Sequence, residues 1–345
     1  MRLGLYCALA ISLAATPVFG QEQEEKTTRL FASDDLIEVT IEGPLREIAR
    51  KSEISTEPHP ATLTAAGESL SVRVSARGIS RRRKNQCSFP PLRIAFPEKP
   101  AASSLFHRQG SIKLVTHCNN NSRFEQIAMR EFAAYRLYNV VTPESLKVRL
   151  ARITYRDGNK DITTRLGFFI EDGDDAARRL DIKEVDIGNI RVSALNRQDA
   201  ARYSLFQYMI GNTDWAMDAG PDPRDCCHNS RLFGAAKDAT GDLTPVPYDF
   251  DNAGMVDAPY AVPSEKLRIS NVKVRVYRGY CAFNAELPAE VARMRLAQPA
   301  LVNEIASITA LDERNRKSVL RYLDGFFDKL ADESALVKKL TGDCL

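Results

Sequence analysis

The sequence predicts an α+β fold, with a small antiparallel sheet towards the N-terminus and a larger helical part towards the C-terminus. Residues 36–41 and 70–74 alternate apolar and polar side chains, which is the pattern of half-buried strands. Residues 288–295, 300–311 and 312–341 instead carry apolar residues at helical spacing. An even number of cysteines beyond residue 20 further indicates that disulfides stabilise the fold.

Length and charge set the first bounds on function. The chain has 345 residues, enough for one large domain or two modest ones, and 44% of them are hydrophobic, enough for a sizeable core. The formal net charge is only +3 at pH 7. Because neither sign dominates, the composition does not predict nucleic-acid binding, and we expect no nucleic-acid partner.

Residues 1–20 have the pattern of a signal peptide. Arg2 is followed by an apolar run over 3–15, and the residues before position 21 suit cleavage after Gly20. An uncleaved membrane anchor is the alternative, although the run is short for a span of about 20 residues. We therefore expect an exported protein, periplasmic or extracellular, with no membrane span after cleavage. Residues 21–35 are expected to form a flexible leader.

Export makes disulfides between the remaining cysteines the first expectation. These cysteines are Cys87, Cys118, Cys226, Cys227, Cys281 and Cys344. The first two are predicted to pair as a clip on one small sheet. Cys226 and Cys227 are neighbours and rarely bond each other, so the last two cysteines are expected to pair with them. A zinc site on the neighbours and His228 is the alternative, but three adjacent residues do not easily close a tetrahedral site.

A basic segment precedes two further predicted strands, 92–97 and 111–116. Residues 77–84 contain Arg77, Gly78 and four more basic side chains. A glycine allows the backbone to approach a ligand closely, and arginines offer paired donors to phosphate groups. This segment is therefore a candidate phosphate-binding loop, with a solvated basic face as the alternative.

One lysine lies inside the apolar alternation of the predicted strand 111–116. An unpaired ammonium is costly to bury, so Lys113 is expected to have an acidic partner. The predicted helix 124–138 supplies Glu131, and Glu125 is the second choice. Ordinary surface charges are the alternative for both side chains.

The middle of the chain predicts a β-hairpin followed by helical and loop segments. Strands over 148–155 and 165–170 flank a turn-forming sequence, and the acidic stretch 171–175 begins a helix. Calcium binding by that acidic stretch is an alternative to helix capping. A helix over 197–209 then leads into a region with separated acids and amides. The candidates there are Asp214, Asn229, Asp249 and Asp251.

The predicted parts follow the order found in protein-kinase-like folds: a strand lysine, a helix glutamate, a hairpin, a helix, a loop acid, an amide and a second acid. The motifs are also similar to those of the CotH spore-coat kinase family, over about residues 68–260. They comprise residues 77–80, 92–96, 131–138, 168–172, 211–214 and 247–249. The last two motifs also resemble HipA-type and lipid-kinase-type atypical kinases.

The resemblance implies a two-lobed protein-kinase-like fold. The N-lobe, 36–172, would be β-rich with one helix, and the C-lobe, 173–345, would be α-rich and carry the catalytic-type loops. The implied activity is an exported phosphotransferase that uses ATP and Mg²⁺, or Mn²⁺, to phosphorylate a protein or peptide hydroxyl. A catalytically inactive interaction module of the cell envelope is the alternative.

The resemblance also implies individual roles. Lys113 would bind phosphates with Glu131 as its partner, and Asp214 would act on the acceptor hydroxyl. The metal ligands would be Asn229 and Asp249, with Asp251 competing for the second position. The remaining nucleotide contacts would come from Arg77 and Gly78 at the phosphates and from the backbone of Ile170, Glu171 and Asp172, which would face the adenine. The chain departs from the family in having an insertion between Asp214 and Asn229 and no G-x-G-x-x-G loop before Lys113.

Overall fold

A computed structural model describes residues 26–263 and 267–345, so the predicted signal peptide lies outside the described residues. It contains ten strands: β1 (Ile37–Glu42), β2 (His59–Ala65), β3 (Glu68–Ala76), β4 (Leu92–Ala95), β5 (Ser111–Val115), β6 (Val148–Asp157), β7 (Lys160–Ile170), β8 (Lys183–Glu184), β9 (Ser230–Gly234) and β10 (Thr244–Pro247). Its α-helices are α1 (Leu45–Lys51), α2 (Ser122–Val141), α3 (Gly173–Leu180), α4 (Arg197–Ile210), α5 (Leu287–Ser307), α6 (Glu313–Leu330) and α7 (Glu333–Gly342). The α+β class is confirmed.

The N-terminal sheet is a closed barrel in the order β1-β2-β3-β4-β5-β7-β6. Neighbouring strands pair antiparallel, except that β1 and β6 close the barrel as a parallel pair with Ile37 opposite Ala151. The prediction of a purely antiparallel sheet is therefore wrong at this seam. Alternate residues such as Val39 and Ile41 point into a buried interior. Closure leaves no free sheet edge.

The N-terminal half also holds two α-helices, α1 and α2, where one was predicted. Asn121 caps α2 by accepting a hydrogen bond from the Phe124 N–H, 3.1 Å away. The buried face of α2 packs in the same core as α5, α6 and strand β7. This helix therefore joins the barrel to the helical half of the chain.

The C-terminal helices begin and end at other residues than predicted. Segment 288–295 and residues 300–307 of segment 300–311 belong to the single helix α5, which continues through Pro299 and ends at Ser307. Segment 312–341 is two helices, because Asp332 caps a new helix by accepting a hydrogen bond from the Ala335 N–H. None of the helices in the described residues combines the length and apolar composition needed to cross a membrane.

The start of the described chain is packed against the barrel. Leu30 and Phe31 are buried in the barrel's core, which contradicts a flexible leader that extends to residue 35. Apolar side chains at these two positions explain the difference, since they bury surface that a mobile segment would expose to water.

The structure contains three disulfides. Cys87–Cys118 is confirmed. The predicted pairing of the other four cysteines is wrong, because Cys226 bonds Cys227 and Cys281 bonds Cys344. The chain end explains the last pair: the Leu345 N–H donates to the Gly279 carbonyl and the Cys281 N–H donates to the Leu345 carbonyl. With both neighbouring sulfurs in a disulfide, they offer no thiolates to a zinc ion.

Candidate functional site

The turn after β10, residues 248–252, is the meeting point of the candidate site. Asp249 has a left-handed backbone with φ of 60°, a conformation that Asp and Asn tolerate better than most residues. Its N–H donates to the Tyr135 hydroxyl of α2, 2.8 Å away. The Tyr248 N–H donates to the Asn229 carbonyl at 3.1 Å. The turn is thereby fixed between α2 and the loop that leads into β9.

A buried arginine from the basic segment binds three acids of the site. Arg81 lies in a 3₁₀ turn after β3, and its guanidinium is 2.9 Å from Glu131, 2.7 Å from Asp249 and 3.0 Å from Asp251. Glu131 therefore pairs with Arg81, not with Lys113 as predicted. Burial raises the pKa of Asp251 well above its ordinary value, against the opposing effect of Arg81.

Lys113 lies on the other side of the same turn. Its Nζ is 4.8 Å from the centroid of the Tyr248 ring, which the Arg231 guanidinium also approaches at 5.7 Å. Within the described part of the chain Lys113 forms no ion pair. Burial, with Arg231 and Arg77 nearby, lowers the pKa of Lys113 to about 7. The Lys113 side chain therefore changes between its charged and neutral forms near neutral pH.

Asp214 is the centre of a second hydrogen-bonded group. One of its carboxylate oxygens is 2.7 Å from His228 Nε2, and the other accepts from the Asn252 amide at 2.9 Å and the Asn229 amide at 3.2 Å. Burial raises the pKa of Asp214, but the hydrogen bonds from His228 and Asn252 outweigh it and hold the pKa below its ordinary value. The same hydrogen bond raises the pKa of His228.

The insertion between Asp214 and Asn229 does not separate these two residues. It closes at its base, where the Ala216 N–H donates to the His228 carbonyl and the His228 N–H donates to the Ala219 carbonyl. The Asn229 amide also donates to the Asp214 carbonyl at 2.8 Å. The insertion therefore projects as a loop while the acid and the amide stay in contact.

The three residues predicted to face the adenine, 170–172, form strand pairs and side-chain hydrogen bonds within the protein. Ile170 is buried in β7, where it pairs with Lys113 on β5 and Val148 on β6. The Glu171 carboxylate accepts from Arg179 at 3.1 and 2.8 Å. Asp172 caps α3 by accepting from the Asp174 N–H, which accounts for the acidic stretch without calcium. These contacts engage the side chains of Glu171 and Asp172, so the predicted adenine contacts of this segment stay a prediction for its backbone.

Arg77 and Gly78 lie at the rim of the cluster. The Arg77 N–H donates to the Pro91 carbonyl at 2.9 Å, and its buried Nε has no hydrogen-bond partner in the described structure. Gly78 has a φ of 81° and open space where a Cβ would stand. The backbone there adopts a conformation that favours glycine, as expected for a loop that turns sharply.

The predicted metal ligands lie close together, and both carboxylates among them already have a cationic partner. Arg81 already pairs with both Asp249 and Asp251. Across residues 26–263 and 267–345, no group of three or more His, Cys, Asp or Glu side chains is placed to hold a metal. The Arg81 guanidinium thus pairs with two of the side chains that were predicted to bind a metal ion.

Sequence reasoning missed three residues of the site: Arg81, His228 and Asn252. Arg81 was visible only as one of several basic residues. His228 adjoins Asn229, and Asn252 adjoins Asp251, so proximity to predicted ligands was the one available signal.

The chain matches no model of a known protein family, and no curated protein matches its sequence. The similarity to CotH spore-coat kinases stays a prediction from motifs. The geometry of the site therefore carries the functional inference.

Proposed function

We propose that this protein is an exported phosphotransferase that uses ATP to phosphorylate a hydroxyl group of a protein or peptide. One observation carries the proposal: residues far apart in the sequence converge on the turn 248–252. Asp214 reaches it through Asn252, Glu131 through Arg81, and Lys113 through the Tyr248 ring. Phosphoryl transfer depends mainly on positioning and charge stabilisation, and this cluster offers both.

The chain's own groups account for the proton and the charge in the proposed reaction. The acceptor oxygen bonds to the γ-phosphorus of ATP while its proton passes to the pair formed by Asp214 and His228. The bond from that phosphorus to the bridging oxygen breaks, and ADP leaves with the electron pair. Arg77 and Lys113 are the cations placed to offset the phosphate charge. Mg²⁺ or Mn²⁺ at Asn229, Asp249 and Asp251 is a separate prediction on which none of these steps depends.

Intact-mass analysis of peptides incubated with the protein and ATP tests the reaction. Phosphoryl transfer adds about 80 Da, whereas nucleotidyl transfer adds about 329 Da. Asp214→Asn is expected to lower the rate by about 10²- to 10⁴-fold, the range for loss of general acid–base catalysis. Asp328→Asn, at an exposed position on α6, is the matched control and should keep full activity. Full activity in Asp214→Asn, or no transfer with either metal, would overturn the proposal.

A second candidate is a noncatalytic interaction module with the same fold. The observation that favours it is Arg81, which pairs with both carboxylates predicted to bind the metal. A thermal-shift titration separates the two functions, because ligand at 100 times its Kd stabilises a protein by about 2.7 kcal/mol. No shift with millimolar ATP and Mg²⁺ or Mn²⁺ would favour the module.

A further inference from the structure

A basic groove lies between the first half of α2 and the first half of α6. It consists of two adjoining cavities of about 450 and 580 Å³, which share Arg130, Asp257 and Arg314 in their linings. Gln126 ties the two helices together, because its side chain accepts from the Asp312 N–H at 2.9 Å and donates to the Ala310 carbonyl at 3.0 Å. The groove is therefore a fixed feature of the fold.

Among the residues that the structure describes, the arginine at the floor of the groove has no carboxylate within ion-pair distance. Arg130 Nε donates to the Asn315 amide oxygen at 2.9 Å, and Nη1 donates to the Val256 carbonyl at 3.2 Å. Arg136, on the same helix, instead pairs with both Asp34 and Glu304. Neutral acceptors hold the Arg130 guanidinium in place, while Asp257 and Asp312 act on its charge only from beyond ion-pair distance.

Further cations line the groove and outnumber its acids. Arg314, Lys317 and Arg321 follow each other on α6 at spacings of three and four residues, which places them on one face over about 10 Å. Arg123 adds another guanidinium at the α2 end. In the described part of the chain, Arg123, Arg314 and Arg321 form no ion pair.

The three acids of the groove are already engaged. Asp257 pairs with Lys273 at 2.6 Å, and Glu313 pairs with Lys317 at 2.5 Å. Asp312 caps α6 by accepting from the Asn315 N–H at 2.7 Å. An unbalanced positive surface of this kind is suited to an anionic ligand.

We propose that the basic groove binds an acidic segment of the protein or peptide substrate. An extended chain rises about 3.3 Å per residue, so the cations on α6 span about three residues of a bound segment. Arg130 directly precedes Glu131 on α2, and Val256, which accepts from Arg130, lies four residues after the turn 248–252, so the groove and the candidate site are built on the same two segments of the chain. Identifying the segment as a substrate rests on the proposed function, whereas its binding does not.

The composition of the groove favours a peptide over a nucleic acid. Single-stranded nucleic acids bind through aromatic side chains on which bases stack, in addition to cations. The residues that line the groove include no Phe, Tyr, Trp or His in the described structure. Carboxylates of Asp or Glu side chains need only the guanidinium and ammonium donors that are present.

Fluorescence anisotropy with labelled hexaglutamate and the full exported chain tests the inference without nucleotide. We expect binding at about 50 mM salt that weakens at about 200 mM, because exposed charges are screened. Arg123→Glu and Arg314→Glu should each weaken binding by about tenfold or more. Arg191→Glu, at an exposed arginine outside the groove, is the control and should bind like the wild type. Circular dichroism checks that each variant is folded.

Equal hexaglutamate affinity in the wild type and Arg314→Glu overturns the inference, as does tighter binding of an oligothymidylate than of the peptide. Loss of peptide binding in both groove variants supports it, even if no phosphoryl transfer is found. Transfer to peptides without any hexaglutamate binding would remove the groove's role and leave the proposed function standing.

Discussion

Replacing Arg81 with methionine tests the central ion cluster. The change keeps most of the apolar length of the side chain and removes the charge that lies 2.9 Å from Glu131 and 3.0 Å from Asp251. The side chains of these acids are only 1% and 3% exposed, so water cannot replace the lost partner. Removing one partner of a buried pair destabilises a protein by about 3–5 kcal/mol. Asp249 adds little because its side chain is 34% exposed.

Urea unfolding followed by tryptophan fluorescence measures the loss. Trp215 is the only tryptophan and is buried, so its emission reports on unfolding. We expect a free energy of unfolding about 3–5 kcal/mol lower at pH 8. The loss should shrink as the pH falls, because burial raises the pKa values of Glu131 and Asp251 in the folded protein. Once both acids are protonated in the folded and unfolded states, no charge remains to be stranded.

The exposed neighbour Arg83 supplies the matched control. Arg83→Met should change the free energy of unfolding by less than about 0.5 kcal/mol. The double variant Arg81→Met/Glu131→Gln should recover part of the loss, because one stranded charge is gone. A loss below about 1 kcal/mol at pH 8, or a loss that does not shrink as the pH falls, would refute the assignment of Arg81 as the buried counter-ion.

Three further predictions follow from the site and its supports. Transfer activity should rise with pH through the raised pKa of His228, since only the neutral imidazole accepts a proton, and His228→Gln should flatten that limb of the pH–rate profile. ATP affinity should fall between pH 6 and pH 8 as Lys113, with a pKa of about 7, loses its charge, and calorimetry should find a smaller change in Lys113→Met. Replacing Cys281 and Cys344 with serine opens a loop with a sequence separation of 63 and should lower the free energy of unfolding by about 4 kcal/mol on chain-entropy grounds, whereas an unchanged urea midpoint would contradict this.

Local patterns predicted the elements of the fold well where the residues that pack together are near in sequence. Residues 124–138 were predicted as a helix and lie within α2, and the hairpin strands lie within β6 and β7. Barrel closure was missed because it pairs β1 with β6, and alternation within a strand does not name its neighbour. The Cys281–Cys344 bond was missed for the same reason, since the chain end returns to residues 279–281 through backbone contacts.

The candidate site divides in a similar way. The similarity to kinases predicted that Asp214, Asn229 and Asp249 belong together, and their contacts meet at one turn. The sequence did not identify the counter-ion of Glu131, because a basic segment does not reveal which of its arginines turns inward. The 3₁₀ turn Ser80–Arg82 buries Arg81 and leaves its neighbours more exposed. Local backbone geometry, not residue type, selected the partner of Glu131.

The charge of the buried cluster separates the two candidate functions. Glu131, Asp249 and Asp251 carry three negative charges when ionised, and Arg81 with the nearby Arg77 supplies two positive charges, so the cluster needs a further cation or proton. A noncatalytic module would meet this need with protons, which the raised pKa values of Glu131 and Asp251 favour. A metal-dependent phosphotransferase would meet it with Mg²⁺, whose binding displaces those protons. Proton release on addition of Mg²⁺ with ATP, lost in Asp249→Asn, therefore argues for the enzyme, and its absence argues for the module.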